Sequence, residues 1–315
     1  MTSLAFLGDS KQMKTLTEAI RATTFIQPQK LRDHLEIDLT IASETFQHTG
    51  SFKFRAGYNL ALNVPNEAIL TASSGNFGQA LAYACRILGK KCTVVMPENS
   101  AKVKIEAVRS YGATVDLVDT KTVGRSARVA QLAAEMPDAY VASAYDDLFV
   151  IDGNASLGDE LASQNFDVVV APIGGGGLIS GISKGLCRSG SQTVLIGAEP
   201  LLGNDAARSL KAGAIVANES EPLTIADGAR TLSLGVHNWE IIKTGVSEII
   251  EVPDEKIAEA VRLYFGLANL KSEPTGAVSL GAILETAGKF KDKKVCVVVS
   301  GGNVDTEIYR QILNG

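Results

Sequence analysis

A lysine between two aromatic residues is the first group in this sequence with reactive potential. In the stretch HTGSFKFR, Lys53 stands between Phe52 and Phe54. Apolar surroundings lower the pKa of a lysine because they disfavour its charged form. A neutral amine can attack a carbonyl and form a Schiff base, so the motif predicts a nucleophilic lysine. The alternative is a β-strand whose phenylalanines face inward while Lys53 faces solvent.

Four consecutive glycines form the second feature. Gly174, Gly175, Gly176 and Gly177 follow the apolar run DVVVAP and precede the helical pattern LISGI. Glycines let backbone N–H groups approach a ligand closely, and a helix N-terminus adds a positive field, so the run predicts a phosphate site. A plain tight turn is the alternative. A dinucleotide fingerprint is disfavoured because the loop comes late in the chain and lacks the acidic residue of that motif.

A phosphate site without a nucleotide motif, together with a lysine in apolar surroundings, suggests pyridoxal phosphate. This cofactor also needs a partner for its ring nitrogen. Ser300, which ends the run VVVS, can meet that nitrogen, and Asn76 in SSGNFG can meet the ring oxygen. Ser300 can also be the N-cap of a helix over VDTEIYRQIL, and the two roles can coexist.

The elements that position these residues alternate between strands and helices, which predicts a parallel sheet covered on both faces. Helical patterns cover 78–89 and 254–270, and 213–224 is predicted to be a surface loop. Ligands bind such sheets at the carboxyl ends of the strands, so we expect the turns after the second, fifth, sixth and eighth predicted strands to meet at one rim. The eight predicted strands are 39–43, 68–73, 92–97, 114–119, 167–172, 193–199, 248–252 and 294–300.

Composition excludes several other classes of protein. The 315 residues carry a net charge of −5, which does not favour binding to the negatively charged backbone of nucleic acid. They include no apolar stretch long enough to span a membrane. The N-terminus lacks the pattern of a signal peptide, and four scattered cysteines without a CxxC spacing indicate a reduced, cytoplasmic protein. Three histidines show no metal spacing, and neither a GxSxG nor a P-loop motif is present.

Six motifs in order give the chain a family resemblance: TGSFKFR, SSGNFGQA, GGGGLISG, EPLLGND, TIADGARTL and SGGN. The chain resembles fold-type II pyridoxal phosphate enzymes, and most of all their threonine/serine dehydratase and serine racemase branch. The resemblance covers nearly the whole chain and implies an α/β fold like that of the tryptophan synthase β-subunit, with two three-layer αβα domains and mostly parallel sheets. It implies a large cofactor domain over 1–62 and 147–315, a small mobile domain over 63–146, and a homodimer.

The resemblance also implies roles for individual residues. Lys53 matches the Schiff-base lysine, Gly174–Gly177 the phosphate loop, Asn76 the contact to the ring hydroxyl and Ser300 the partner of the ring nitrogen. The loop that grips the substrate carboxylate corresponds to Ser73, Ser74, Gly75 and Asn76. A cation site for Mg²⁺ or another hard ion corresponds to Glu199, the Gly203 carbonyl and Asp205, for which a solvated loop is the alternative.

The implied activity is the dehydration of a 3-hydroxy amino acid of the threonine or serine type to a 2-oxo acid and ammonia. Ser74 would stand opposite Lys53, where a second base would permit racemisation, so a serine racemase is the alternative.

The chain departs from the family pattern near the substrate: Ala56 and Gly57 follow Arg55 where the family has Gly-Ala, Phe77 replaces a histidine, and a histidine-proline motif is absent before Tyr145. A β-replacement enzyme and a non-catalytic binding protein are less consistent with TIADGARTL and with the intact lysine.

Overall fold

Strands and helices alternate along most of the chain in the computed structural model, which describes residues 15–73, 75–100, 102–286 and 288–315. The strands are β1 Thr24–Ile26, β2 Asp38–Ser43, β3 Ala68–Ala72, β4 Lys91–Pro97, β5 Thr114–Val118, β6 Ala139–Ala142, β7 Val168–Pro172, β8 Val194–Pro200, β9 Glu248–Val252 and β10 Lys294–Val299. The helices are α1 Leu16–Ala19, α2 Gln29–Leu35, α3 Lys53–Asn63, α4 Asn76–Leu88, α5 Lys102–Ser110, α6 Arg125–Glu135, α7 Leu148–Ala162, α8 Gly177–Arg188, α9 Asp205–Ala212, α10 Val236–Gly245, α11 Asp254–Ala268, α12 Pro274–Glu285 and α13 Thr306–Asn314.

The larger sheet has six strands in the order β1-β2-β10-β7-β8-β9. Every neighbouring pair is parallel except β1 with β2. Its central strands are buried on both faces, as their continuous Val and Ile runs require. One face packs against α11 and α12, and the other packs against α7, α8 and α10.

The smaller sheet has four parallel strands in the order β5-β4-β3-β6. Helices α3 and α4 cover one face of it, and α6 covers the other. All four strands lie between residues 68 and 142, inside the segment 63–146 that was predicted to be the small domain. The α/β fold with mostly parallel sheets is therefore confirmed, while the domain boundaries and the mobility of the small domain stay predictions.

The eight predicted strands are all present, with ends within one residue of those expected. The predicted helices lie over 76–88 and 254–268, and 213–224 contains no helix or strand. Strands β1 and β6 were missed because runs of three and four residues are too short to show periodicity. No helix in the described ranges is both long and apolar enough to cross a membrane.

The turns after β3, β7 and β10 line one cleft of about 1470 Å³. This cleft lies between the two sheets, because β3 belongs to the smaller sheet while β7 and β10 belong to the larger one. The expectation that four turns meet at the rim of a single sheet is wrong on two points. The described residues form two sheets, and among them the turn after β8 is not part of the cleft wall.

Candidate active site

Lys53 begins helix α3 and lines the cleft. Its Nζ donates a hydrogen bond of 2.7 Å to the carbonyl of Ala144, and it lies 4.9 Å from the ring centroid of Phe52 and 5.7 Å from that of Phe77. Burial lowers the pKa of Lys53 to about 8, against a smaller opposing effect of the Glu273 carboxylate. With that pKa, about one-tenth of the amines are neutral at pH 7.

The aromatic surroundings of Lys53 differ from those expected. Phe54 packs on the other side of the chain, with its ring centroid 4.7 Å from that of His48 and 5.6 Å from that of Tyr58. Phe77, a position where the chain departs from its family pattern, takes the expected place of Phe54 beside the amine. The alternative of a strand with an outward lysine is wrong, because the residue opens a helix and its amine points into protein.

A buried arginine holds the beginning of α3 in place. Arg55 is fully buried, and its guanidinium pairs with Glu44 at 2.7 Å and with Glu160 at 2.7 Å. It also donates to the hydroxyl of Thr23 at 2.9 Å. Removing Arg55 would leave Glu44 buried and unpaired, at a cost of roughly 3–5 kcal/mol. The position of Lys53 therefore depends on a charge network two residues further along its helix.

The glycine loop connects β7 to the N-terminus of α8. Gly176 has a φ of +97°, a conformation that favours glycine. A Cβ on Gly175 would lie 2.3 Å from the ring of Tyr145, and a Cβ on Gly177 would lie 2.9 Å from the Tyr145 carbonyl. In the described part of the chain, none of the N–H groups of residues 174–177 donates a hydrogen bond to protein. The loop thus presents free donors without side chains at the positive end of a twelve-residue helix, as a phosphate requires.

Ser300 follows β10 directly, is buried, and lines the same cleft. Its carbonyl accepts a hydrogen bond of 2.9 Å from the N–H of Phe52, which ties the end of this strand to the residue before Lys53. The alternative role as a helix N-cap is wrong. Asp305 caps α13, accepting from the N–H groups of Glu307 at 2.8 Å and Ile308 at 3.3 Å.

Asn76 opens helix α4 and belongs to a polar cluster that the sequence did not reveal. Its Nδ2 donates to Glu273 at 2.9 and 3.1 Å, and its Oδ1 accepts from Asn303 at 2.9 Å. Glu273 is buried, and burial together with the Asp227 carboxylate raises its pKa to about 7, although Asn76, Lys104 and Lys53 oppose that rise. The only hint in the sequence was an acidic residue before the proline that opens α12.

The predicted carboxylate-gripping loop also borders the cleft. Ser73 and Gly75 line it beside Asn76. The Ser73 hydroxyl oxygen accepts a hydrogen bond of 3.0 Å from the N–H of Gly78, which fastens the loop to the first turn of α4. Ser74 lies outside the described residues, so its predicted role as a second base stays a prediction.

The predicted cation residues lie apart from the cleft. The carboxylate of Glu199 accepts from the N–H groups of Ala206 and Ala207, each at 2.9 Å, at the start of α9. Burial and the neighbouring Asp205 raise the pKa of Glu199, and burial raises that of Asp205 to about 6. Asp205 Oδ2 is buried, and no group in the described ranges hydrogen-bonds to it. Two buried carboxylates with a free oxygen fit a cation, whereas the solvated-loop alternative does not fit their burial.

Among the described residues, no cluster of three or more His, Cys, Asp or Glu side chains is arranged to hold a metal ion. The ligand set predicted here has two carboxylates and the Gly203 carbonyl, so it falls outside such clusters. Both oxygens of Glu199 already accept from helix amides, which gives that residue a structural role with or without an ion. The cation site stays a prediction.

A parallel α/β fold with a lysine of lowered pKa and a loop of free amides in one cleft defines an enzyme that binds a phosphorylated aldehyde cofactor. The chain belongs to the family described as pyridoxal-phosphate dependent enzyme, whose model matches residues 16–301. The site fits pyridoxal phosphate on its own geometry, because the cleft holds both an amine for the aldehyde and a cradle for the phosphate.

Individual relatives share sequence and structure with most of the chain. It is 36% identical to an L-threo-3-hydroxyaspartate ammonia-lyase of Pseudomonas sp over 87% of this chain and 88% of that one. It is 35% identical to a serine racemase of Schizosaccharomyces pombe, covering 86% and 85% of the two chains. The crystal structure of a threonine deaminase from T.th. matches with a TM-score of 0.87 and 36% identity, covering 92% of this chain and 95% of that one.

Proposed function

We propose that this chain is a pyridoxal-phosphate dependent ammonia-lyase that converts a 3-hydroxy amino acid into a 2-oxo acid and ammonia. The observation that carries the proposal is the meeting of Lys53 and the glycine loop Gly174–Gly177 in one cleft. The relatives named as ammonia-lyase and deaminase support the same reaction type. The intact lysine also disfavours a non-catalytic binding protein.

Different residues of the cleft would bind different groups of the cofactor. Lys53 would hold the cofactor aldehyde, the amides of the glycine loop its phosphate, Asn76 the ring hydroxyl and Ser300 the ring nitrogen. When bound, pyridoxal phosphate withdraws electrons from the α-carbon of an attached amino acid, which acidifies the α-proton and promotes loss of a β-hydroxyl.

Proton transfer at the α-carbon would fall to Lys53, whose amine is free once the substrate amine has taken its place on the aldehyde. A pKa near 8 leaves its Nζ able to accept a proton at neutral pH and to return it later. The carbonyl of Ala144, 2.7 Å away, orients the amine, and the rings of Phe52 and Phe77 exclude water from it. Ser73 and Gly75 lie on the cleft wall beside Asn76, where a substrate carboxylate can be gripped.

Among 3-hydroxy amino acids, 3-hydroxyaspartate suits the cleft best. Lys104 and Arg125 line it, and each pairs with one carboxylate, Asp227 at 3.0 Å and Glu221 at 3.8 Å respectively. Solvent-exposed ion pairs of this kind are worth only about 0–1 kcal/mol, so a second carboxylate on the substrate can replace the protein partner. The name of the Pseudomonas relative points to the same substrate. L-Threonine and L-serine, expected from the sequence, are the next candidates.

The test is a steady-state assay of 2-oxo acid release with L-threo-3-hydroxyaspartate, L-serine and L-threonine. We expect the highest kcat/KM with the dicarboxylic substrate, and a loss of about tenfold or more with that substrate in Arg125→Gln. Turnover of L-serine by the same variant serves as the control and should change by less than about threefold. A wild-type preference for L-threonine or L-serine would reject the dicarboxylic assignment, and the absence of 2-oxo acid from all three would reject the lyase.

Racemisation is the second candidate function. It is supported by the name of the Schizosaccharomyces pombe relative and by the serine at position 74. The two activities differ in the number of bases required, since elimination needs one and racemisation needs a proton donor on each face of the substrate.

A further inference from the structure

Two buried asparagines bind the carbonyl groups of the glycine loop from behind. Asn238 Nδ2 donates to the carbonyl of Gly175 at 2.8 Å, and Asn154 Nδ2 donates to the carbonyl of Gly177 at 2.9 Å. Both asparagines are fully buried. Carbonyl oxygens only accept hydrogen bonds, so each side-chain nitrogen must face its loop carbonyl, and the orientation of both amides is determined.

The direction of these bonds decides where the loop donors point. In a trans peptide the C=O and the following N–H project to opposite sides of the chain. Holding the Gly175 carbonyl toward Asn238 therefore directs the N–H of Gly176 away from Asn238. Holding the Gly177 carbonyl toward Asn154 directs the N–H of Leu178 the opposite way. Gly176 and Leu178 both line the cleft.

Asn238 also ties the loop to the segment that covers it. The same Nδ2 donates to the carbonyl of Tyr145 at 3.0 Å, and the Tyr145 ring packs over Gly175. The next residue, Asp146, accepts from the N–H groups of Val236 and His237, each at 2.9 Å, at the start of α10. The N–H of Gly235 also donates to the Gly175 carbonyl, at 3.1 Å, but it does not reach Tyr145. Asn238 is therefore the side chain that joins the loop to its covering residue.

We propose that Asn238, assisted by Asn154, is a positioning residue for the cofactor phosphate: by holding the loop carbonyls outward it turns the loop amides into the cleft. The Oδ1 atoms of both asparagines are buried and have no hydrogen-bond partner in the described part of the chain. The inference rests on family membership and not on which amino acid is the substrate.

The test compares two probes on the cofactor-free enzyme. Pyridoxal phosphate needs both Lys53 and the loop, whereas pyridoxal can react with Lys53 but has no phosphate. Asn238→Asp keeps the shape and replaces the donor by an oxygen that faces the Gly175 carbonyl. We expect its dissociation constant for pyridoxal phosphate to rise about tenfold or more, while that for pyridoxal stays within about twofold.

The matched control is Asn59→Asp. Asn59 Nδ2 also donates to a backbone carbonyl, that of Phe149 at 2.7 Å, but this carbonyl lies outside the glycine loop. Absorbance titration should give wild-type affinities for both probes, and circular dichroism should report folding and melting temperature of each apo variant. A purely structural role would lower the melting temperature of Asn238→Asp and leave its affinity for pyridoxal phosphate unchanged.

The proposal is overturned if folded Asn238→Asp binds pyridoxal phosphate like the wild type, or if it loses affinity for both probes equally. Should this variant fail to fold, Asn238→Ala and Asn154→Ala permit the same comparison without an added charge. Wild-type affinity for pyridoxal phosphate in both alanine variants would reject the proposal. Because no turnover is measured, these outcomes are independent of the proposed lyase reaction.

Discussion

The Nδ2 of Asn76 lies 2.9 Å from the Oε1 of Glu273, although the two residues are 197 positions apart in the chain. This bond joins the first residue of α4, beside the smaller sheet, to the residue before α12, beside the larger one. It also places a carboxylate close enough to Lys53 to offset part of the lowering of the amine's pKa by burial. Glu273 therefore connects the two halves of the cleft and influences the charge of the reactive lysine.

Glu273→Gln tests this electrostatic link. The glutamine can still accept from Asn76, but the negative charge that raises the pKa of Lys53 is lost. We expect the pKa of Lys53 to fall, so that the amine becomes reactive at lower pH. The measurement is the pH dependence of Lys53 labelling by an amine reagent, read by mass spectrometry in the cofactor-free protein.

A matched control for Glu273 is Glu251→Gln. Glu251 also accepts from an asparagine, Asn204, at 2.6 Å, but it does not line the cleft. This variant should leave the labelling profile of Lys53 unchanged. A Glu273→Gln profile that coincides with the wild type, or moves to higher pH, would contradict the link.

Lys53→Ala should abolish covalent attachment of the cofactor. The absorbance band expected at ~410–420 nm for the lysine-linked cofactor should disappear, together with 2-oxo acid release. Lys271→Ala is the control, because Lys271 is also a lysine of the cleft wall but is not assigned a covalent role. Reduction with borohydride should label Lys53 in the wild type, and a label at a different lysine would show that the assignment is wrong.

Gly175→Ala should weaken cofactor binding by steric conflict. The new Cβ would sit 2.3 Å from the Tyr145 ring, so the ring or the loop must move. We expect the dissociation constant for pyridoxal phosphate to increase by about tenfold or more. Gly124→Ala is the control, since no atom of the described residues lies within 4 Å of its Cβ position. If the clash is the cause, adding Tyr145→Ala should restore part of the lost affinity, and equal losses in the single and double variants would exclude it.

Chelation tests the predicted cation site. A bound ion stabilises the folded state that binds it, so a chelator should lower the melting temperature of the wild type, and added Mg²⁺ or Ca²⁺ should restore it. Asp205→Asn removes the carboxylate whose Oδ2 has no partner in the described ranges, and should no longer respond to chelator or metal. A response equal to that of the wild type would place the ion elsewhere, and no response in either protein would remove the site altogether.

Ser74→Ala distinguishes elimination from racemisation. Elimination needs only Lys53, whereas racemisation needs a second group on the opposite face. The variant should lose any exchange of the α-proton of D-serine with solvent, while L-substrate dehydration remains within about tenfold of the wild type. Chiral chromatography and 2-oxo acid release, followed together, make the measurement. Retained exchange with D-serine in Ser74→Ala would mean that Ser74 is not the second base.

Residue types and local periodicity were enough to predict most of the strands, the fold class and two parts of the candidate site. Eight strands were predictable because their Val- and Ile-rich runs alternate with helical patterns, and the central strands β7 and β10 are buried on both faces. Lys53 and Gly174–Gly177 stood out because few other roles suit those residues in those places. The fold class followed from the alternation of strands and helices. Short strands β1 and β6 carried too few residues for any periodic signal.

Only the tertiary structure decided which side chains meet. It places Phe77 beside Lys53 in place of the adjacent Phe54, Tyr145 over Gly175, and Asn238 behind the same glycine. It also separates Glu199 and Asp205 from the cleft. These contacts join residues that are distant in the chain, and they depend on how two sheets and their helices pack together. Local patterns report the conformation and burial of a segment, but the partner of a buried polar group is chosen by packing across the fold.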